Sequence, residues 1–260
     1  MDVVILCGGK GTRLSEETTK RPKPMVEVGG MPILWHIMKT YSNYGYNRFI
    51  LALGYKGNSI KQYFYNYKIS SSDFSLSLDP NSKIKYLNSS KEKKWEIIFV
   101  NTGEETLKGG RIKKIEKYIN TDNFHLTYGD GVSDVNISKL AKFHKNHGCI
   151  GTVTAVRPPS RFGELNIGQD NTVLDLEEKP QMGKGLINGG YFIFDKKILS
   201  YLEDKKDCDF EFGPLQKISR MKQLKAFEHN GFWQCMDNIR EKYYLEEQIR
   251  NKTAPWVVWE

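Results

Sequence analysis

Short strand-like apolar runs alternate with stretches of helical periodicity through the first half of the chain, and few architectures accept that pattern. The strand candidates are Val3–Leu6, Phe49–Leu53, Glu96–Val100, Phe124–Tyr128 and Ile150–Ala155. Between them, Ile33–Tyr44, Ser59–Tyr67, Arg111–Tyr118 and Ser138–His147 carry apolar residues at three- and four-residue spacing. The alternation predicts an α/β fold, with a mostly parallel sheet covered by helices.

Residues 67–95 interrupt the pattern. Ser70-Ser71-Ser72, Pro80-Asn81-Ser82 and Ser89 to Lys94 bracket two weak strand-like pieces, which predicts a small β-rich excursion from the main sheet. Later strands are expected at Glu164–Ile167, Val173–Glu177 and Tyr191–Phe194, and helices at Pro214–Met221 and Ile239–Arg250. No linker composition or internal repeat divides the chain, so residues 1–260 are expected to form a single domain with two functional halves, about 1–135 and 136–260.

Composition removes several classes of protein. No apolar run approaches the roughly 20 residues a membrane helix needs. Met1-Asp2 leads directly into a strand without the basic stretch and apolar core of a signal peptide, so a cytoplasmic protein without membrane partners is expected. Cys7, Cys149, Cys208 and Cys235 are too few and too far apart for a disulfide scaffold or a CxxC site, and are read as reduced. The 39 basic and 31 acidic residues give +8, which favours an anionic partner. Scattered lysines and the lack of a binding module argue against nucleic acid in that role.

Two segments concentrate the chemistry. Cys7-Gly8-Gly9-Lys10-Gly11-Thr12-Arg13 follows the first strand, and its glycines allow backbone N–H groups to turn toward a phosphate. A plain tight turn is the other reading. The spacing fits neither GxGxxG nor GxxxxGK[ST], which disfavours a dinucleotide oxidoreductase and a P-loop. In Lys20-Arg21-Pro22-Lys23-Pro24-Met25, two prolines hold Lys23 on an extended, stiff backbone. That arrangement suits a catalytic cation, and a solvated basic loop is the alternative. Asp130 lies between Gly129 and Gly131 at a strand end, where ligands bind in open α/β sheets and where turn residues are also common. His144 and His147, three residues apart on one helix without a carboxylate or cysteine partner, are assigned to a solvated face, and zinc is not expected. Tyr63, Phe64, Tyr65 and Tyr67 are read as packing residues.

The glycine loop and the Lys20–Met25 segment together resemble the GGxGTRL and KPKPM signature of the sugar-1-phosphate nucleotidyltransferases. The likeness continues through Tyr128-Gly129-Asp130-Gly131, Glu178-Lys179-Pro180, Ile187-Asn188-Gly189-Gly190, Gly231-Phe232-Trp233-Gln234 and Ala254-Pro255-Trp256, where it looks like the glucose-1-phosphate cytidylyltransferase branch. The resemblance implies a Rossmann-like fold of the nucleotide-diphospho-sugar transferase type, with the nucleotide in the first half and the sugar phosphate in the second. It implies attack of a sugar 1-phosphate on the α-phosphorus of CTP, for bacterial deoxysugar or surface polysaccharide synthesis, by a homo-oligomer, which in this family suggests a hexamer. Other nucleoside triphosphates or sugar phosphates are the alternatives.

By the same resemblance, Arg13 and Lys23 are catalytic. Leu6, Gly8, Gly9, Gly11, Thr12, Arg13, Lys23, Gly110, Arg111 and Gly129 bind nucleotide. Glu178, Lys179, Asn188 and Gly189 bind the sugar phosphate, and Asp130 and Asp237 hold Mg²⁺. The chain departs from the family pattern at Asp209–Leu215, which lacks the usual Trp-Glu, and at Cys235, where proline is usual. Both departures lie toward the sugar side.

Overall fold

The computed structural model describes residues 1–79, 81–88, 92, 94–158, 164–167, 169, 172–177 and 185–259. Seven strands form the main sheet: β1 (Asp2–Cys7), β2 (Arg48–Leu53), β3 (Glu96–Asn101), β4 (Asn123–Tyr128), β5 (Gly151–Val156), β6 (Ile187–Asp195) and β7 (Leu224–His229). Their spatial order is β7-β5-β6-β4-β1-β2-β3. β3, β2, β1 and β4 are mutually parallel, β6 runs antiparallel to β4 and β5, and β7 pairs parallel with β5. The expected mixed, mostly parallel sheet is present.

The unbroken apolar run of β1 has a simple cause. Val3, Ile5 and Cys7 enter one core with Phe49 and Leu51, while Val4 and Leu6 enter a second with Ile50 and Ala52. A strand buried on both faces has no polar side to alternate with.

Helices α1 (Ile33–Asn43), α2 (Gly57–Tyr65), α3 (Lys108–Ile115), α4 (Ile137–His147) and α5 (Ile239–Arg250) accompany the sheet. α1 turns Ile33, Leu34, Ile37, Met38 and Tyr41 into the first core, and Ile112 and Ile115 of α3 enter the second. Asn136 caps α4 by accepting from the Lys139 N–H at 2.9 Å, and Gly148, at φ 62°, ends it. The helix expected at Ser59–Tyr67 is split, because α2 ends at Tyr65 and a second turn runs Tyr67–Ser71. The expected excursion contains one short antiparallel pair, Phe74–Ser75 with Lys85–Tyr86. Among the described residues, no helix is long and apolar enough to cross a membrane.

The histidine assignment is corrected. α4 packs against β5, so His144 is buried, with its ring 2.8 Å from Thr152 Oγ1 and 3.0 Å from Asn123 Oδ1. His147 also reaches the Thr152 hydroxyl, at 2.7 Å. The pair belongs to the packed side of the helix.

Burial pushes the pKa of His36 to about 4, of His125 to about 3 and of His144 to about 4. Because the unfolded chain binds these protons near pH 6.5, their stabilisation is complete above that value and is lost as pH falls toward 3. His125 is the sharpest case, fully buried between Tyr41 and Tyr46 with neither ring nitrogen hydrogen-bonded. His125→Phe is therefore expected to remove about 2 kcal/mol of the stability lost between pH 7 and pH 5. Denaturant melts at the two pH values check this, and an unchanged loss would contradict it.

Candidate active site

Strand order reverses between β1 and β4, so the loops leaving these two strands diverge and open a crevice at their carboxyl ends. A cleft of about 500 Å³ occupies that place. The Gly8–Arg13 loop leaves β1 on one side and Gly129-Asp130 leaves β4 on the other. Because β6 is antiparallel to β4, its Gly189-Gly190 start falls beside Tyr128.

The glycine loop is held from below. Arg111, on α3, is 4% exposed and spends its guanidinium on the backbone around the loop. Its Nη2 donates to the carbonyls of Gly8 and Glu104, both at 3.0 Å. Its Nη1 donates to Leu53 O at 3.2 Å and to Gly103 O and Thr102 Oγ1 at 2.7 Å. A Cβ on Gly8 would lie 2.1 Å from Arg111 Nη1, so glycine is required there. Gly11 is required for its φ of 64°.

Lys23 begins a 3₁₀ turn that Pro22 enters in an extended conformation, and the Met25 and Val26 amides close the turn at 2.8 and 3.0 Å. The lysine is buried, at 7% exposure, so its ammonium needs partners. It donates to Asp130 Oδ2 at 2.7 Å and to Asp237 Oδ1 at 2.5 Å. Arg13 pairs with the other Asp237 oxygen at 2.6 Å. Burial works against the Lys23 charge, but the two carboxylates outweigh it and hold the pKa above the ordinary lysine value. Burial likewise works against ionised Asp237, and Lys23 and Arg13 overcome it, holding this carboxyl below its usual range.

The aspartates meet because Gly131–Ser133 pairs antiparallel with Trp233–Cys235, setting Gly131 opposite Cys235, while the Met236 amide donates to Asp130 O at 2.8 Å. α5 fixes the other side: Asn238 caps it, and Glu241 Oε2 accepts from the Asp237 amide at 2.5 Å. The two carboxylates point at one nitrogen, so their oxygens could share one cation. Hard oxygen donors converging in this way fit Mg²⁺. The cleft thiols do not add nucleophiles, since burial pushes the Cys7 pKa far up and that of Cys235 to about 12.

Leu6, Gly8, Gly9, Gly11, Thr12, Arg13, Lys23, Arg111, Gly129, Asp130, Gly189 and Asp237 all line the cleft. Gly110 packs instead against the Lys205 carbonyl, which a Cβ there would approach to 2.3 Å. Asn188 sits at the side, donating to Tyr128 Oη at 3.3 Å and accepting from the Gly190 amide at 2.9 Å. Glu178 and Lys179 lie outside the described residues.

Lys108 and Glu211, neither of them a predicted site residue, join Tyr128 at the site. The Tyr128 hydroxyl donates to Glu211 Oε1 at 2.7 Å, Lys108 pairs with the same oxygen, and the Lys108 ammonium lies 4.9 Å above the Tyr128 ring. Glu211 opens a π-helical turn, Glu211–Leu215, where a regular helix from Pro214 was expected; that helix begins at Gln216. The Asp209–Leu215 departure therefore supplies a carboxylate beside the second half of the cleft.

Residues 2–241 match the nucleotidyl transferase family. The chain is 45% identical to the glucose-1-phosphate cytidylyltransferase of Salmonella typhi, with 100% of both chains covered. It is 40% identical, also over 100% of both, to the probable glucose-1-phosphate cytidylyltransferase of Bacillus subtilis strain 168. The crystal structure of HddC from Yersinia pseudotuberculosis superposes with a TM-score of 0.66 at 28% identity, covering 95% of this chain and 99% of that one. These likenesses bear out the resemblance carried by the motifs, and the chain belongs to the nucleotidyl transferase family.

Proposed function

We propose that this chain transfers the cytidylyl group of CTP to α-D-glucose 1-phosphate, giving CDP-glucose and pyrophosphate. The observation that carries the reading is the full-length 45% identity to a glucose-1-phosphate cytidylyltransferase. The charged cleft at the strand-order reversal is consistent with it.

A phosphate oxygen of the sugar phosphate attacks the α-phosphorus of CTP. The new P–O bond forms as the α–β bridging bond breaks, and pyrophosphate leaves with the electron pair. Such a reaction needs alignment and charge stabilisation more than covalent help from the protein. The Gly8–Arg13 backbone bends around the triphosphate, and Arg13, exposed at the cleft mouth, reaches the departing phosphates. Lys23 supplies positive charge where the two substrates meet. Asp130 and Asp237 are the residues that would hold Mg²⁺, which when bound would neutralise charge growing on the phosphate oxygens. On the sugar side, Asn188 and Gly189 flank the cleft next to Tyr128.

Phosphorus NMR of a reaction containing CTP, glucose 1-phosphate and Mg²⁺ tests the chemistry. CDP-glucose and pyrophosphate should accumulate in equal amounts, and CTP alone should stay intact. Orthophosphate or CMP as the main product would contradict the reading.

A further inference from the structure

We infer that the Lys23 ammonium is the resident counter-ion of Asp130 and Asp237, and that a divalent cation gains these carboxylates only when nucleotide phosphates draw Lys23 away. The inference rests on the reading of this pair as the metal-holding residues.

Three of the pair's four carboxylate oxygens are already committed. Asp130 Oδ2 and Asp237 Oδ1 accept from Lys23, and Asp237 Oδ2 faces Arg13. Two carboxylates, one ammonium and one guanidinium sum to zero charge. Adding a divalent ion alone would place an uncompensated double charge beside a buried ammonium, and like charges this close repel strongly where water is scarce. Triphosphate changes that balance. Its oxygens can accept from Lys23, leaving the carboxylates free for the metal, so each charged group exchanges one partner for another.

The local backbone suits such an exchange. Pro22, Pro24 and the two turn hydrogen bonds fix the Lys23 main chain, so the ammonium moves only by rotation of its flexible stem. The main chain that carries each carboxylate is fixed independently of Lys23, at the Asp130 carbonyl by the Met236 amide and at the Asp237 amide by Glu241. Lysine can therefore leave without dispersing the metal ligands. Nucleotide and metal binding become coupled, and by linkage each strengthens the other equally.

The test is Mn²⁺ binding to the whole protein without nucleotide, followed by electron paramagnetic resonance of the free ion. Lys23→Met keeps the stem and removes the charge, and should bind Mn²⁺ at least about tenfold more tightly than wild type. Lys23→Gln should do likewise, Lys23→Arg should stay as weak as wild type, and adding Asp130→Asn to Lys23→Met should abolish the gain. Far-ultraviolet circular dichroism verifies that each variant is folded. Equal or weaker Mn²⁺ binding by folded Lys23→Met and Lys23→Gln overturns the inference, as does a gain that survives Asp130→Asn. The underlying metal assignment is judged separately, in wild type with CTP present. If Asp130→Asn leaves Mn²⁺ binding unchanged there, the assignment fails and the inference with it; if Asp130→Asn weakens binding while Lys23→Met shows no gain without nucleotide, only the inference fails.

Discussion

Lys23→Met is expected to lower turnover about a hundredfold or more in a protein that still folds, a loss of about 3 kcal/mol of transition-state stabilisation. The size follows from position. The ammonium is buried and flanked by two prolines, and the proposed reaction puts the negative charge of both substrates beside it, so no solvent cation can replace it at equal cost. Methionine preserves the stem that packs beside Gly11, which keeps the change local. Steady-state kinetics with CTP and glucose 1-phosphate provide the readout. Near-normal turnover would return Lys23 to a structural role as the partner of Asp130 and Asp237.

The second large effect concerns Arg111. The sequence resemblance assigns it to nucleotide phosphates, but its geometry gives it a prior task, since five backbone and hydroxyl oxygens from the ends of β1, β2 and β3 accept from one fork. Arg111→Met would strand several of these acceptors in a buried place, at about 3 kcal/mol of stability. For a chain of this length that corresponds to a melting temperature lower by about 6–12 °C. Gly8→Ala should also lower it, because the new methyl group meets the guanidinium directly. If Arg111 served phosphate alone, Arg111→Met would raise KM for CTP and leave the melting temperature unchanged.

Much of the fold was legible because periodicity reports burial directly. β1, β2, β3 and β4 each extend the expected strand by only one or two residues, β5 is shifted from it by one, and the helix over Ile239–Arg250 was located at both ends. What escaped depends on tertiary contacts. His144 reads as a surface residue until α4 is docked on β5. The resemblance makes Arg111 a phosphate ligand, and its structural task emerges only when the ends of three strands surround it. The π-helical turn at Glu211 has no local signature beyond a proline inside the segment.

The site divides in the same way. The glycine loop and the Lys20–Met25 segment are contiguous, so their chemistry can be read from spacing. The meeting of Asp130 with Asp237 depends on two three-residue strands, Gly131–Ser133 and Trp233–Cys235, too short to display alternation. Only the family resemblance pointed to that pair, and it did not anticipate the lysine between them. Tyr128 and Glu211, from opposite halves of the chain, had no shared motif at all.

The choice of nucleotide separates a cytidylyltransferase from the other nucleotidyl transferases. Pyrophosphate release should be measured with glucose 1-phosphate held constant and CTP, UTP, dTTP, GTP and ATP supplied in turn. A kcat/KM for CTP at least about a hundredfold above every other triphosphate, a difference of about 2.7 kcal/mol, is the predicted result; equal or greater kcat/KM with any of the other four would contradict it.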